Sequence, residues 1–303
     1  DHRKAQRLDA ERRARGLGSF HGLGDEVLLA VLGSLGAKEL GALACASQML
    51  HVYCSHDELW RKLVFDRFDK RTTFHSSWKE TYWRNNAKHC DREIHLSRPR
   101  ARRGCVYSDL LYQPWYCSRL AIPRRWLDLD NVARRAAPEM TLEAFRSEFE
   151  SPNVPVVITG LASRWPAYRK WTREHLTRAF QHTTVHGGGY DFDASQYFQY
   201  ADQVGSSEEM PLYLFDKHFA TKAPSLARDY QVPAYFAEDL FQHLGDQGRP
   251  DHRWLIIGPQ RSGSSFHIDP NATSAWNAVI SGRKKWVMFP PKWTPPGVHP
   301  SQD

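Results

Sequence analysis

The first regular pattern of apolar positions predicts a small helical unit between Leu23 and Phe68. Apolar residues recur there at the three- and four-residue spacing of a helix. The first helix carries Val27, Leu28, Val31, Leu32 and Leu35, and the pattern continues at Leu40, Leu43, Ala44, Leu59, Trp60, Leu63 and Val64. We therefore expect short helices whose apolar faces pack on one another or on the next domain.

From about residue 126 the pattern changes to a helix followed by short strands. Leu142, Phe145 and Phe149 have helical spacing, and they lead into the β-rich run from Val154 to Thr159. Further strands are predicted at 212–215, 253–257, 273–280 and 283–289. The chain is therefore predicted to be an α+β multidomain protein.

Changes in composition divide the chain into four predicted parts. Residues 1–16 form a basic N-terminal arm, 17–70 the helical domain, 71–125 an aromatic and basic connector, and 126–303 the α+β domain. The connector contains seven arginines from Arg98 to Arg125 and one acid, Asp109. Such a bias is typical of a solvated basic loop or of a surface that contacts nucleic acid phosphates.

The composition is that of a soluble globular protein, with 41% hydrophobic and 25% charged residues among 303. A net charge of +7 favours acidic partners or a nuclear location. The sequence contains neither a membrane-spanning apolar run nor the apolar core of a signal peptide, so we expect an intracellular protein. Its five cysteines are scattered without a C-x-x-C pair, which predicts reduced thiols.

The candidate chemistry begins with His267 and Asp269, which are two residues apart. On a strand their side chains point to the same face, as two ligands of one metal ion must. Two histidines and a carboxylate hold non-haem Fe(II) in oxygenases and leave positions open for a co-substrate and dioxygen. The motif alone is weak evidence because His89-Cys90-Asp91 repeats it.

The following residues predict a hairpin that strengthens this assignment. Ser281-Gly282 is a suitable two-residue turn between the runs 273–280 and 283–289. In that register one face carries Asn277, Val279, Lys284 and Trp286. A lysine on an inner face needs an anionic partner, since an unpaired buried ammonium is costly.

These segments resemble the JmjC family. The resemblance is carried by Gly258-Pro259-Gln260-Arg261-Ser262-Gly263-Ser264-Ser265-Phe266-His267-Ile268-Asp269-Pro270, by Thr273-Ser274-Ala275-Trp276-Asn277-Ala278 and by Gly282-Arg283-Lys284-Lys285-Trp286. It extends over roughly 126–291 and is strongest to the branch of the arginine demethylase and lysyl hydroxylase once called the phosphatidylserine receptor. It implies a double-stranded β-helix of the cupin or jelly-roll type with helical N-terminal elaboration.

The resemblance also implies a site and an activity. His267 and Asp269 would bind Fe(II), Lys284 would pair with the C5 carboxylate of 2-oxoglutarate, and Asn277, Ser264 and Tyr213 would make polar contacts around the co-substrate. Ser264 stands where this branch usually has threonine and keeps the hydroxyl. The implied activity is dioxygenase hydroxylation or demethylation of a protein substrate, such as a histone or an RNA-processing factor.

The family's third iron ligand is a histidine on a later strand, which we expect beyond Asp303 in a domain truncated at its C-terminus. His299 follows Pro295-Pro296-Gly297 in a predicted loop and comes too soon for that strand.

The helical unit resembles an F-box. The resemblance lies in Leu23-Gly24-Asp25-Glu26-Val27-Leu28-Leu29 and Asp57-Glu58-Leu59-Trp60-Arg61-Lys62-Leu63, with Gly24 where a proline is more usual. It implies docking of residues 23–65 on the Skp1 adaptor of a ubiquitin ligase, while an ordinary packing unit has the same pattern. Two alternatives to the oxygenase therefore stay open: a ubiquitin-ligase adaptor with a JmjC recognition domain, and a non-catalytic protein that binds RNA through the basic connector.

Overall fold

The computed structural model of the protein describes residues 2–68, 72–87, 106–208 and 210–298. The chain divides into two compact units. The first comprises Asp1–Leu120, His186–Leu214 and Ile257–Ser262, and the second comprises Ala121–Val185, Phe215–Ile256 and Gly263–Asp303. Helices and sheets are both present, which confirms the α+β prediction.

Short helices make up most of the regular structure. In chain order they are α1 His2–Leu17, α2 Asp25–Leu32, α3 Ala37–Ala44, α4 Gln48–Tyr53, α5 Asp57–Phe68, α6 Trp78–Ala87, α7 Asp109–Arg119, α8 Arg124–Asp128, α9 Leu142–Phe145, α10 Pro166–Lys170, α11 Arg173–Ala179, α12 Ala194–Gln203, α13 Phe219–Lys222, α14 Pro224–Ala227 and α15 Gly245–Gly248. None of the helices in the described part of the chain is long and apolar enough to cross a membrane.

The strands of the described residues form two sheets. They are β1 Ala133–Ala136, β2 Val156–Thr159, β3 Val185–Gly187, β4 Tyr190–Phe192, β5 Leu214–Asp216 and β6 Leu255–Ile257. The first two pair in parallel, and the others form a sheet in the order β4-β3-β5-β6. Gly187 lies opposite Leu214, where a Cβ would come within 2.9 Å of the Tyr213 carbonyl oxygen, so only glycine allows this close pairing.

The predicted helical unit is confirmed as helices, but its first apolar face divides in two. Leu28 and Leu32 are buried in the core of the first unit, together with Leu40, Trp60 and Val64. Val27 and Val31 are exposed. Residues at spacing i, i+4 share a helix face, so α2 presents its leucines to the core and its valines to solvent.

The predicted basic arm forms α1, whose C-terminal end is fixed to the helical unit. Arg13 donates to the Asp25 carboxylate at 2.6 Å and to the Leu23 carbonyl oxygen at 2.6 Å, and Tyr53 donates to Asp25 at 2.8 Å. A Cβ on Gly16 would lie 2.7 Å from the Cβ of Met49, so glycine permits the close approach of α1 and α4. These contacts anchor the C-terminal end of the arm, from Arg13 onward, to the helical unit.

The first unit joins the helices to a later part of the chain through aromatic contacts. Phe65 stacks on Tyr190 with a centroid distance of 3.9 Å, and Trp78 stacks on Tyr200 at 5.4 Å. Residues 186–214 therefore pack with residues 1–120, and this grouping differs from the boundaries predicted at 70 and 125. The spacing of apolar residues along a helix does not reveal which distant segment of the chain will pack on that helix.

A largely buried carboxyl, Glu208, lies at this contact. It accepts a hydrogen bond from the Trp78 indole at 2.6 Å and one from the Tyr200 hydroxyl. Burial raises the pKa of Glu208, because the charged form is poorly solvated there, although these bonds act in the opposite direction.

Glu208→Gln tests the effect of this carboxyl on stability. A raised pKa in the folded state means that Glu208 contributes stability at pH values below its ordinary pKa and that this contribution is lost as pH rises through the raised value. The glutamine variant should therefore gain stability relative to the natural chain between about pH 4 and about pH 8, measured by urea unfolding at both ends. A difference between the two proteins that does not change with pH would contradict this assignment.

The second unit has its own core around α9. Met140, Phe145 and Phe149 are buried there, with Tyr235 and Phe236 packed against them. The Tyr235 hydroxyl lies 2.7 Å from the Met140 carbonyl oxygen, to which it donates a hydrogen bond. This core confirms the predicted helix and the predicted strand near Val154, which forms β2.

The predicted hairpin is wrong as a paired element. Neither 273–280 nor 283–289 is a β-strand, and all of 281–290 is exposed. A two-stranded hairpin is marginal alone, and no strand of the described residues pairs with either run. Gly282 still has φ +83°, which suits a turn. The predicted strands at 212–215 and 253–257 are confirmed in shorter form by β5 and β6.

Candidate functional site

The two candidate metal ligands lie together on the surface of the second unit. His267 Nε2 is 3.2 Å from Asp269 Oδ1, and both side chains are accessible, at 52% and 37% exposure. The segment is not a strand, so the prediction that strand geometry brings the two side chains to one face is wrong. The two side chains nevertheless approach each other without strand geometry.

Local backbone geometry orients both ligands. His267 Nδ1 lies 2.7 Å from the Ser265 carbonyl oxygen. A carbonyl only accepts, so Nδ1 donates this hydrogen bond, and Nε2 beside Asp269 is the ring nitrogen left for a metal ion. Asp269 precedes the 3-10 turn Pro270–Ala272, and the turn bends the chain through Asn271 at φ +59°. A histidine with this tautomer and an adjacent carboxylate are suitable donors for a divalent metal.

The run after this turn has one packed and one open side. Trp276, Ala278 and Ile280 are half-buried, whereas Asn277 and Val279 between them are exposed. This alternation is that of an extended chain. Asn277 and Val279 therefore share one side, as predicted, but that side is exposed, and the prediction that it is the inner face is wrong.

Aromatic packing holds the closed side of this run. The Trp276 ring is parallel to that of Phe236, with an interplanar angle of 5° and a centroid distance of 5.5 Å. Trp165 meets Trp276 edge-on at 6.2 Å. Phe236 in turn packs on the core of the second unit, so Trp276 ties the extended run to that core.

Lys284 lies beside Trp286, as their shared face predicted. Its Nζ is 4.4 Å from the centroid of the Trp286 ring. Although Lys284 is exposed, nearby groups displace part of the water around its ammonium, and this desolvation lowers the pKa of Lys284. Among the described residues no carboxylate forms an ion pair with it, which leaves this cation available to an anionic ligand.

The neighbouring Lys285 has a different role. It donates a hydrogen bond to the Leu129 carbonyl oxygen. Phe266 and Phe289 meet at 5.8 Å, which brings the segment of the metal ligands against the second run. Together these contacts hold the run from 283 to 289 against the second unit in the absence of strand pairing.

The two remaining predicted residues have separate positions. Ser264 is exposed in the second unit, three residues before His267. Tyr213 is half-buried in the first unit, immediately before β5. The structure therefore brings His267 and Asp269 together and Lys284 beside Trp286.

The donors fit part of an iron site. Fe(II) in oxygenases takes two histidines and one carboxylate, and His267 with Asp269 supplies one of each. Within the described residues no group of three potential ligands is present. His299 and the second H-x-D motif at 89–91 lie outside those residues.

Sequence reasoning missed two supports of the site. Phe236 stacks on Trp276, and the Leu129 carbonyl accepts from Lys285. The first had a signal, because Trp276 occupies the alternate position to Asn277 and must point the opposite way. The contact of Lys285 had no signal in the sequence, because the pattern of residue types does not indicate which backbone carbonyl 156 residues away a lysine will contact.

Comparisons with known proteins find a family match and relatives along most of the chain. The family model described as a cupin-like domain matches residues 142–296. The chain is 46% identical over 295 residues to the Arabidopsis thaliana protein named arginine-specific demethylase JMJ22, which covers 96% of this chain and 57% of the relative. It is 34% identical over 314 residues to the Arabidopsis lysine-specific demethylase JMJ21, covering 97% of this chain and 31% of the relative.

A nematode relative supports the branch that the motifs indicated. The bifunctional arginine demethylase and lysyl-hydroxylase psr-1 of Caenorhabditis elegans is 40% identical over 170 residues, which cover 54% of this chain and 42% of the relative. The matched part of the chain covers 57% of the length of the first of these relatives and less than half of the length of the other two.

Proposed function

Because this chain belongs to the cupin-like domain family, we propose that its protein is an Fe(II)- and 2-oxoglutarate-dependent oxygenase that modifies a protein substrate. The observation that carries the proposal is the 3.2 Å approach of His267 Nε2 to Asp269 Oδ1 on an accessible surface, followed by Lys284 without a carboxylate partner in the described residues. Relatives named 2-oxoglutarate and iron-dependent oxygenases support the same cofactors.

The chain's own residues would then act by binding and orientation. His267 and Asp269 would hold Fe(II), and the Ser265 carbonyl would keep Nε2 of His267 free for it. Lys284 would receive the C5 carboxylate of 2-oxoglutarate, while Asn277 and Ser264 would supply polar contacts. The metal, when bound, would supply the redox chemistry that couples loss of carbon dioxide from 2-oxoglutarate to oxidation of a C–H bond by dioxygen.

The proposed reaction is arginine demethylation, with lysyl hydroxylation as the second candidate. The relative JMJ22 is named for the first reaction, and psr-1 is named for both. Hydroxylation of an N-methyl group yields an unstable product that releases formaldehyde, whereas hydroxylation of a lysine carbon leaves the oxygen on the product. We place this activity on nuclear proteins such as histones or RNA-processing factors, in keeping with the net charge of +7.

Turnover with a peptide panel tests the proposal. The natural full-length protein should release succinate in the presence of Fe(II), 2-oxoglutarate and peptides that contain methylated arginine, methylated lysine or unmodified lysine. Formaldehyde should accompany succinate with methylarginine peptides, and a product heavier by one oxygen atom would indicate lysyl hydroxylation. Absence of succinate with every peptide and without peptide would count against the proposed oxygenase.

We also propose that the exposed side of α2 docks on the Skp1 adaptor, as the F-box resemblance suggests. Val27 and Val31 form an exposed apolar pair that the core does not use. The double substitution of Val27 and Val31 by glutamate should abolish capture of the chain by immobilised Skp1 without unfolding it. The double variant Glu26→Gln and Ala30→Gln, which changes two exposed positions of the same helix, is the control and should bind normally. Undiminished capture of the Val27 and Val31 variant would rule out this surface.

A further inference from the structure

The face of α7 that carries Tyr112, Trp115 and Tyr116, called here the aromatic face, is unusually open. The three rings are 55%, 52% and 46% exposed, although residues of this size contribute most when they are buried. Spacings of three and four residues place them on one side of the helix. Neither the core of the first unit nor the proposed oxygenase site uses them.

The rings of the aromatic face are ordered against one another. Tyr112 and Tyr116 are stacked, with a centroid distance of 5.6 Å and an interplanar angle of 23°. Tyr112 and Trp115 are 5.7 Å apart at 35°. Their outer faces therefore form a row of flat apolar surfaces on which planar groups can stack.

Positive charge accompanies this row. The Arg119 guanidinium lies 4.7 Å from the centroid of the Trp115 ring. The sequence from Arg98 to Arg125 contains seven arginines, and its one acid, Asp109, is in the first turn of α7, away from Arg119. An anionic partner with flat apolar groups is complementary to both features, whereas a hydrophobic protein partner would not require the charge.

The helix is held firmly at both ends. The Ser108 hydroxyl accepts a hydrogen bond from the Leu111 amide at 3.2 Å. At the other end Arg261 donates to the carbonyl oxygens of Cys117 and Ser118, where a helix leaves acceptors unpaired. The rings are thus presented on a fixed scaffold, which reduces the entropy lost when a ligand stacks on them.

We propose that the aromatic face of α7 binds single-stranded nucleic acid. Its bases would stack on Tyr112, Trp115 and Tyr116, and its phosphates would contact Arg119, the combination found in proteins that bind single strands with little sequence preference. Duplexes hide the faces of their bases, so they would gain only the charge contribution. This surface is independent of the proposed oxygenase activity.

Fluorescence anisotropy with labelled oligonucleotides tests the proposal. The chain is titrated into a 12-nucleotide uridine-rich RNA, the matching thymidine-rich single-stranded DNA, and a DNA duplex of equal length. Both single strands should bind more tightly than the duplex, and the affinity should fall linearly with salt on logarithmic axes. RNA bound in preference to DNA would identify RNA as the source of the ligand.

Substitutions separate stacking from charge. Trp115→Ala and Tyr116→Ala should each weaken single-strand binding by about 5- to 100-fold, while Trp115→Phe should retain most of it. Arg119→Gln should reduce the salt slope by about one. Tyr168→Ala, which removes an equally exposed ring on α10, is the control and should leave affinity unchanged.

Circular dichroism and thermal melting of each variant verify the fold. Equal affinity of folded Trp115→Ala and the natural chain would overturn the proposal. So would equal affinity for single strands and duplex, or the absence of binding at low salt, which would assign the aromatic face to a protein partner or to another segment of the natural protein.

Discussion

Replacement of His267 by alanine is expected to reduce iron-dependent succinate release by the full-length protein at least about 100-fold, because loss of even an indirect support of a metal ligand costs about 10- to 100-fold. Asp269→Ala should have the same effect. Both side chains are accessible, so these variants should unfold at nearly the same temperature as the natural protein. Succinate release and thermal melting measured on one preparation separate loss of the metal site from loss of the fold.

His182→Ala is the matched control for the loss of an imidazole. His182 is an exposed histidine of the same unit, and its removal should leave succinate release unchanged. If His267→Ala retained full activity in a folded protein, the assignment of the metal ligand would be wrong.

Lys284→Ala is expected to raise the KM for 2-oxoglutarate by about 10- to 100-fold, since a hydrogen bond to a charged group contributes about 1.5–3 kcal/mol. The ammonium beside Trp286 has no carboxylate partner among the described residues, so a co-substrate carboxylate would be its ion-pair partner. Lys284→Arg should restore part of the affinity because it keeps the charge but changes the donor geometry. Initial rates at varied 2-oxoglutarate concentration provide the measurement.

Lys285→Ala provides a control at the next position. Lys285 contacts the Leu129 carbonyl oxygen instead of facing Trp286. It has the same charge and nearly the same place in the sequence, yet its removal should leave the KM for 2-oxoglutarate close to that of the natural protein. Equal effects at both positions would show that net charge, and no specific pairing, determines co-substrate binding.

The site was predicted from sequence to the extent that it depends on local spacing. Two-residue spacing places His267 near Asp269 and Lys284 near Trp286, whichever way the longer-range strands pair. The strand assignment failed for 273–280 and 283–289 because strand pairing requires distant partners, which the spacing of local residues does not supply. The predicted alternation of Trp276 and Asn277, which are half-buried and exposed respectively, is present because it requires only an extended backbone.

The helical unit was also predicted only in part. Periodicity correctly predicted helices between Leu23 and Phe68, but it assigned Val27 and Leu28 to the same apolar face. Adjacent positions on a helix are about 100° apart, so the wide apolar stripe of α2 exceeds the part that the core can cover. As a result, changing Leu28 to a charged residue would test folding, whereas changing Val27 tests docking.

The connections between distant segments were the least accessible to sequence reasoning. Glu208 receives hydrogen bonds from Trp78 and Tyr200, and Phe65 stacks on Tyr190. An acidic residue in a loop is normally exposed to solvent, and only the three-dimensional contacts show that the Glu208 side chain is largely buried. For the same reason, composition divides the chain at about residue 70, whereas packing places residues 186–214 with the helices.

Anaerobic equilibrium binding of 2-oxoglutarate to the full-length protein tests the central claim most directly, because it needs no knowledge of the protein substrate. Mn(II) can replace Fe(II) as a metal that does not oxidise readily. We predict saturable 2-oxoglutarate binding that requires the metal, is lost in His267→Ala and is weakened in Lys284→Ala, with Lys285→Ala unchanged. Binding of 2-oxoglutarate that is independent of metal, or equal in all four proteins, would contradict the assignment of this segment as an oxygenase site.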